Sequence, residues 1–166
     1  MKRRSLHIGL NTVDPDKYGG WNGALRGCVN DALAMRDIAV DRGFEPTLLL
    51  DQQATVGNVR TQLDSAADIL ADGDYFFLTY SGHGGQIPDQ DRDESDALDE
   101  TWCLFDTELV DDSLYGALCR FASGVKIFVM SDSCHSETVT RQAVVDARET
   151  AAASESAKRA PATVTA

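Results

Sequence analysis

Two short stretches bring together residue types capable of acyl-transfer chemistry: Tyr80-Ser81-Gly82-His83-Gly84-Gly85 and Ser131-Asp132-Ser133-Cys134-His135-Ser136. A cysteine becomes a strong nucleophile when a base takes its thiol proton, and histidine is the side chain best matched to that task near neutral pH. The glycines around His83 allow a substrate to approach the backbone closely. Main-chain N–H groups at Gly84 and Cys134 would face a developing oxyanion. His135 adjoins Cys134 but alternates to the other side of an extended chain, so His83 is the expected base.

Each stretch ends a continuous apolar run, residues 74–79 before the first and 125–130 before the second. Such runs suit strands covered on both faces, as in a parallel sheet between helices, and chemistry gathers at the carboxyl ends of those strands. Upstream, residues 6–12 read as a first strand and 11–22 as a loop off its end, in which Trp21 either meets a substrate or covers the core. A helix is expected from Asn30 to Gly43, with Val29, Ala32, Leu33, Met35, Ala39 and Val40 as its apolar face. Residues 46–50 form a second strand. Thr55 then caps a helix whose Val56, Val59, Leu63, Ala66 and Leu70 recur at three and four, ending at Gly73. This alternation predicts an α/β three-layer sandwich with a mainly parallel sheet, joined by right-handed crossovers. A further short helix is expected from Ser113 to Phe121, capped by Asp111 and Asp112.

The chain has 166 residues, 43% of them hydrophobic and 25% charged, enough for one domain with a real core. Its net charge of -12 argues against nucleic-acid binding. The acidity is local: residues 87–113 hold eleven Asp or Glu against one Arg. Part of this run, from Asp89 to Glu100, imitates an EF-hand loop in its spacing. Glu94, however, stands where the sharp turn needs glycine, which excludes an EF-hand and leaves either a solvated loop or another metal site. Four cysteines without a CxxC pair fit reduced thiols in the cytoplasm. No leader or membrane-spanning segment is read.

SGHGG at one strand end, DSCHS at a later one, and Gly27-Cys28-Val29-Asn30-Asp31 near the start resemble the caspase-like cysteine peptidases. The last of these points to the metacaspase branch, whose bacterial members are called orthocaspases. The resemblance implies a caspase-like fold with strand order 2-1-3-4 and an endopeptidase that cuts after Arg or Lys through a Cys134/His83 dyad. It also implies that Asp31, otherwise a routine first-turn acid, lines a pocket for the basic residue, with Ser81 helping to line it and Cys28 near it. Asp132 would add a second carboxylate to hold the same cation. No cofactor is required for the chemistry. Calcium is a possible activator through Asp99, Asp111 and Asp112, although Arg141 occupies the position of a further acidic residue of that site. Glu137 departs from a family glycine.

The resemblance covers a catalytic large-subunit domain, residues 1–140, followed by a weakly ordered helix or linker tail, 141–166. The small-subunit strands are lacking, so a small-subunit chain or a homo-oligomer is an expected partner, together with a protein substrate. A different class of function is an incomplete caspase-like module that binds or regulates a partner without turnover. Metal-assisted hydrolysis is a third, without recognisable ligand spacing.

Overall fold

In the computed structural model, residues 1–88 and 98–135 are described, with the backbone alone at Pro88, Leu98, Cys134 and His135. The elements run β1 (Arg3–Gly9), α1 (Cys28–Asp41), β2 (Glu45–Leu50), α2 (Val56–Ile69), β3 (Tyr75–Pro88), β4 (Leu98–Cys103), β5 (Glu108–Val110), α3 (Asp111–Leu118) and β6 (Lys126–His135). The four strands expected from the sequence pair in parallel in the order β2-β1-β3-β6, which is the expected 2-1-3-4.

Period-two alternation sorts the strands between two layers. Leu6, Ile8, Phe76, Leu78 and Tyr80 pack with Val59, Leu63, Ala66 and Leu70 of the α2 segment and with Leu114 and Leu118 of α3. The intervening residues Ser5, His7, Phe77, Thr79 and Ser81 belong to the opposite face, which α1 covers. Thr55 caps α2 as expected, its hydroxyl accepting from the Asn58 N–H at 3.1 Å.

Several boundaries differ from expectation. Helix α1 begins at Cys28, directly after Gly27 at φ 113°, and its buried residues are the small Cys28, Ala32 and Ala39. Val40, expected on the apolar face, is exposed. Asp111 and Asp112 do not cap α3: Val110 holds the cap position without a side-chain bond, and the two acids occupy the first turn, where the helix dipole favours them.

The larger difference is that the first motif stretch, and the second as far as His135, lie inside strands rather than beyond them. Strand β3 continues to Pro88 because an antiparallel hairpin, β4–β5, pairs with its second half from Gly84↔Trp102 to Pro88↔Leu98. Gly84 is thereby paired on both sides, with Trp102 and with His135. The first residues of the acidic run and the tail from 141 lie outside the described residues, as do Glu137 and Arg141. Strand β6 has no neighbour other than β3 among the described residues, and Phe128, Val129 and Met130 are exposed on it.

Candidate active site

The register between β3 and β6 sets Ser81 beside Asp132 and His83 beside Cys134. Phe77 and Phe128, paired in the same ladder, meet ring to ring at 5.4 Å, so positions 128, 130, 132 and 134 continue the row that shares a face with Phe77, Thr79, Ser81 and His83. The two expected catalytic positions are thus backbone neighbours on the face of the sheet that α1 covers.

The His83 ring is held from the other side by the loop after β1. Its Nε2 lies 3.1 Å from the Gly23 carbonyl oxygen, and the Trp21 ring lies against it at 4.7 Å. A carbonyl oxygen only accepts, so Nε2 carries the hydrogen and Nδ1 keeps its lone pair for a proton. Gly23 sits at φ 55°, and a Cβ there would press on Trp21, Val13 and His83 at 3.1–3.3 Å, which explains glycine at this point. Burial lowers the His83 pKa below the ordinary histidine value, and the Gly23 carbonyl, which favours the protonated ring, opposes it.

That loop is itself anchored. The Val13 N–H bonds to the Asn22 carbonyl at 2.9 Å, the Asp14 N–H to the Phe105 carbonyl at 2.9 Å, and the Tyr18 hydroxyl to the Leu104 carbonyl at 2.7 Å. Val13, Tyr18 and Cys103 form a small apolar cluster beneath Trp21. Trp21 therefore covers both the core and His83. No sequence signal marked Gly23, because the group it contributes is a main-chain carbonyl common to every residue.

Beside the expected dyad positions, the residues expected at the pocket come together. Asp31, in the first turn of α1, accepts a hydrogen bond from the Ser81 hydroxyl at 3.0 Å, and Ser81 is the ladder partner of Asp132. Both aspartates are exposed, whereas Cys28 is a buried free thiol at the start of α1. Two carboxylates flanking one serine on an open surface suit a long cationic side chain that keeps part of its hydration.

The acids expected at calcium are not gathered in this way. Asp99 is buried in β4, and Asp111 and Asp112 start α3 at the same end of the β4–β5 hairpin. Among the described residues no group of three or more His, Cys, Asp or Glu side chains is arranged to hold a metal ion. Asp111 instead lines a cleft of about 290 Å³ with Glu100, Trp102, Leu114, Ser131 and Ser133. No helix among the described residues is long and apolar enough to cross a membrane.

Comparison with known proteins agrees with this architecture. Residues 3–142 match the family model described as metacaspase, peptidase C14 domain. The chain is 33% identical over 151 residues to Metacaspase-1 of Mycosarcoma maydis, covering 82% of this chain and 36% of that protein. It is 36% identical over 149 residues to Metacaspase-7 of Arabidopsis thaliana, covering 82% and 35%. Among solved structures, protein GSU0716 of Geobacter sulfurreducens is 52% identical and superposes with a TM-score of 0.78, over 89% of this chain and 56% of that one. The chain thus spans about a third of the length of the curated relatives it matches.

Proposed function

Since the chain belongs to the metacaspases of peptidase family C14, we propose that it is the large-subunit region of a cysteine endopeptidase that cleaves after Arg or Lys. The observation that carries this proposal is the pairing of His83 with Cys134 across adjacent parallel strands, with the imidazole held in the tautomer whose Nδ1 is free.

In the proposed reaction His83 Nδ1 takes the Cys134 thiol proton, and the thiolate attacks the scissile carbonyl. The negative charge that develops on the carbonyl oxygen is met by the N–H groups of Gly84 and Cys134, which the β3–β6 ladder engages here and which the parting of the two strand ends would release to the substrate. The imidazolium returns its proton to the departing amine as the C–N bond breaks. Water, deprotonated by His83, then attacks the thioester, and the carboxylate product leaves with the thiol restored. Asp31 and Asp132 hold the basic side chain that precedes the cut, and the Ser81 hydroxyl orients the Asp31 carboxylate toward it.

Hydrolysis of fluorogenic peptides ending in Arg or Asp, in reducing buffer, tests the proposal. Cleavage after Arg but not after Asp is expected, falling roughly 10³-fold or more in Cys134→Ala and in His83→Ala. Absence of cleavage by a folded chain alone and with its small-subunit partner would overturn it. Calcium is proposed as an activator outside the bond-making steps; Asp99, Asp111 and Asp112 carry the hard oxygen donors it prefers but form no metal-holding group among the described residues, so binding would have to draw them together. Assays with calcium and with a chelator are expected to differ in rate for wild type and to agree for Asp99→Ala.

A second reading, a caspase-like module that acts by binding a partner, is favoured by one observation. The outer edge of β6 carries exposed Phe128, Val129 and Met130, an arrangement that sheets commonly cover with another strand or helix. In the peptidase this edge receives the small subunit. Sedimentation of the chain alone and with the remainder of a metacaspase separates the two, because turnover in the complex is expected only from the peptidase.

A further inference from the structure

Tyr80 projects from β3 on the face opposite Ser81 and His83, yet its hydroxyl reaches the catalytic peptide. Oη donates to the His83 carbonyl oxygen at 2.7 Å and also lies 3.1 Å from the Cys103 carbonyl oxygen. The ring is clamped against Trp102, with centroids 4.4 Å apart and planes within 4° of parallel. Gly82 makes this path possible: a Cβ there would lie 2.6 Å from Oη. Tyr80 is almost fully buried, and burial raises its pKa well above the ordinary tyrosine value, so the hydroxyl stays protonated.

The location explains what the phenol does. Gly84 pairs with Trp102, so Cys103 continues that ladder opposite His83. Two carbonyls, His83 on β3 and Cys103 on β4, converge where a ladder would need a donor, and the Tyr80 hydroxyl supplies it. The carbonyl of a trans peptide and the N–H of the same peptide point in opposite directions. A His83 carbonyl held toward β4 therefore turns the Gly84 N–H toward β6, the strand that carries Cys134 at the position paired with His83.

We propose that Tyr80 is a positioning residue: its hydroxyl fixes the His83–Gly84 peptide, and so sets both the backbone from which the imidazole projects and the direction of the Gly84 N–H. The proposal rests on the peptidase function above. It adds a group that touches neither substrate nor thiol and acts through the peptide between the base and the oxyanion donor.

Tyr80→Phe keeps the ring and its stack on Trp102 and removes only the donor. In the active complex the expected result is a fall in kcat of about ten- to a hundredfold with KM within about twofold, since an oxyanion donor acts in the transition state. Binding of a peptide aldehyde ending in Arg, whose adduct carries an oxyanion, should weaken more than binding of the matching peptide amide. A second variant, Gly82→Ala, displaces the hydroxyl while leaving Tyr80 in place and should give the same signature, which covers the case in which one variant fails to fold.

A readout independent of turnover is the amide resonance of Gly84 in selectively ¹⁵N-glycine-labelled protein. Loss of the hydrogen bond to the His83 carbonyl should shift it in both variants. If wild type cleaves no peptide, the peptidase proposal falls while the Gly84 resonance still decides the positioning role. An unshifted Gly84 amide, or wild-type kcat in Tyr80→Phe, overturns the role of Tyr80.

Discussion

At the scale of single residues, His83, the proposed base, is defined as much by what surrounds it as by its own chemistry. The Gly23 carbonyl fixes its tautomer and Trp21 keeps water from one face. Burial lowers the His83 pKa, so the ring stays neutral, and able to accept a proton, to lower pH than a solvated histidine at about 6.5. Replacing Trp21 by Ala should restore solvation and raise that pKa. More of the ring is then protonated at mildly acidic pH, and the acid limb of kcat/KM should move upward. A proton NMR titration of His83 in wild type and Trp21→Ala checks this, and an unchanged midpoint would show that the indole does not control the ring's solvation. His83 and Cys134 stood out in the sequence because both side chains announce reactivity, and the register sets the two positions side by side. Gly23 and Tyr80 did not: one contributes a carbonyl, and the partners of the other's hydroxyl, the His83 and Cys103 carbonyls, are set only by the fold.

At the scale of elements, the strands and the crossover helices could be read from periodicity, with ends displaced by a few residues. The hairpin β4–β5 could not, because Asp99, Glu100 and Thr101 carry no apolar alternation and the acidic run before them suggests a loop. What shapes it is contact with β3. A Cβ at Gly85 would stand 2.8 Å from both Thr101 Oγ1 and Glu108 Oε1, so the hairpin's two strands close over a glycine. Gly85→Ala should force them outward at a cost of about 1–3 kcal/mol, measured by urea unfolding. Thr55→Ala, far from the site, should cost ~1 kcal/mol through the lost helix cap and leave peptide hydrolysis unchanged. Equal stability in Gly85→Ala would mean that the hairpin tolerates displacement and does not support Gly84 from that side.

At the scale of the whole molecule, the sheet has one apolar and one mixed face. The α2–α3 side is filled by aliphatic and aromatic residues, as the hydrophobic runs foretold. The α1 side buries His7 completely, with Nδ1 2.9 Å from the Thr79 hydroxyl and Nε2 without a hydrogen-bond partner among the described residues. Burial, helped by the positive charge of Arg36, lowers the His7 pKa to about 4. The unfolded chain protonates this histidine near 6.5 and the folded chain does not, so the unfolded state binds more protons through that window. Stability should fall as pH drops from about 6.5 to about 4, by about 3 kcal/mol from this group. Urea midpoints at pH 7 and pH 4.5 measure the loss, and His7→Leu should flatten it. An undiminished slope in that variant would assign the acid sensitivity elsewhere.

The seating of α1 has a consequence for how the proposed peptidase changes over generations. The helix is held down by Cys28, Ala32 and Ala39, and its cap residue Gly27 makes no side-chain bond. Asp31 stands exposed on the first turn, with the Ser81 hydroxyl leaning on it. The carboxylate proposed to choose the substrate is thus mounted on a support that does not depend on it. A lineage could exchange that one side chain, and with it the preferred cleavage site, while the scaffold and the dyad beneath stayed as they are.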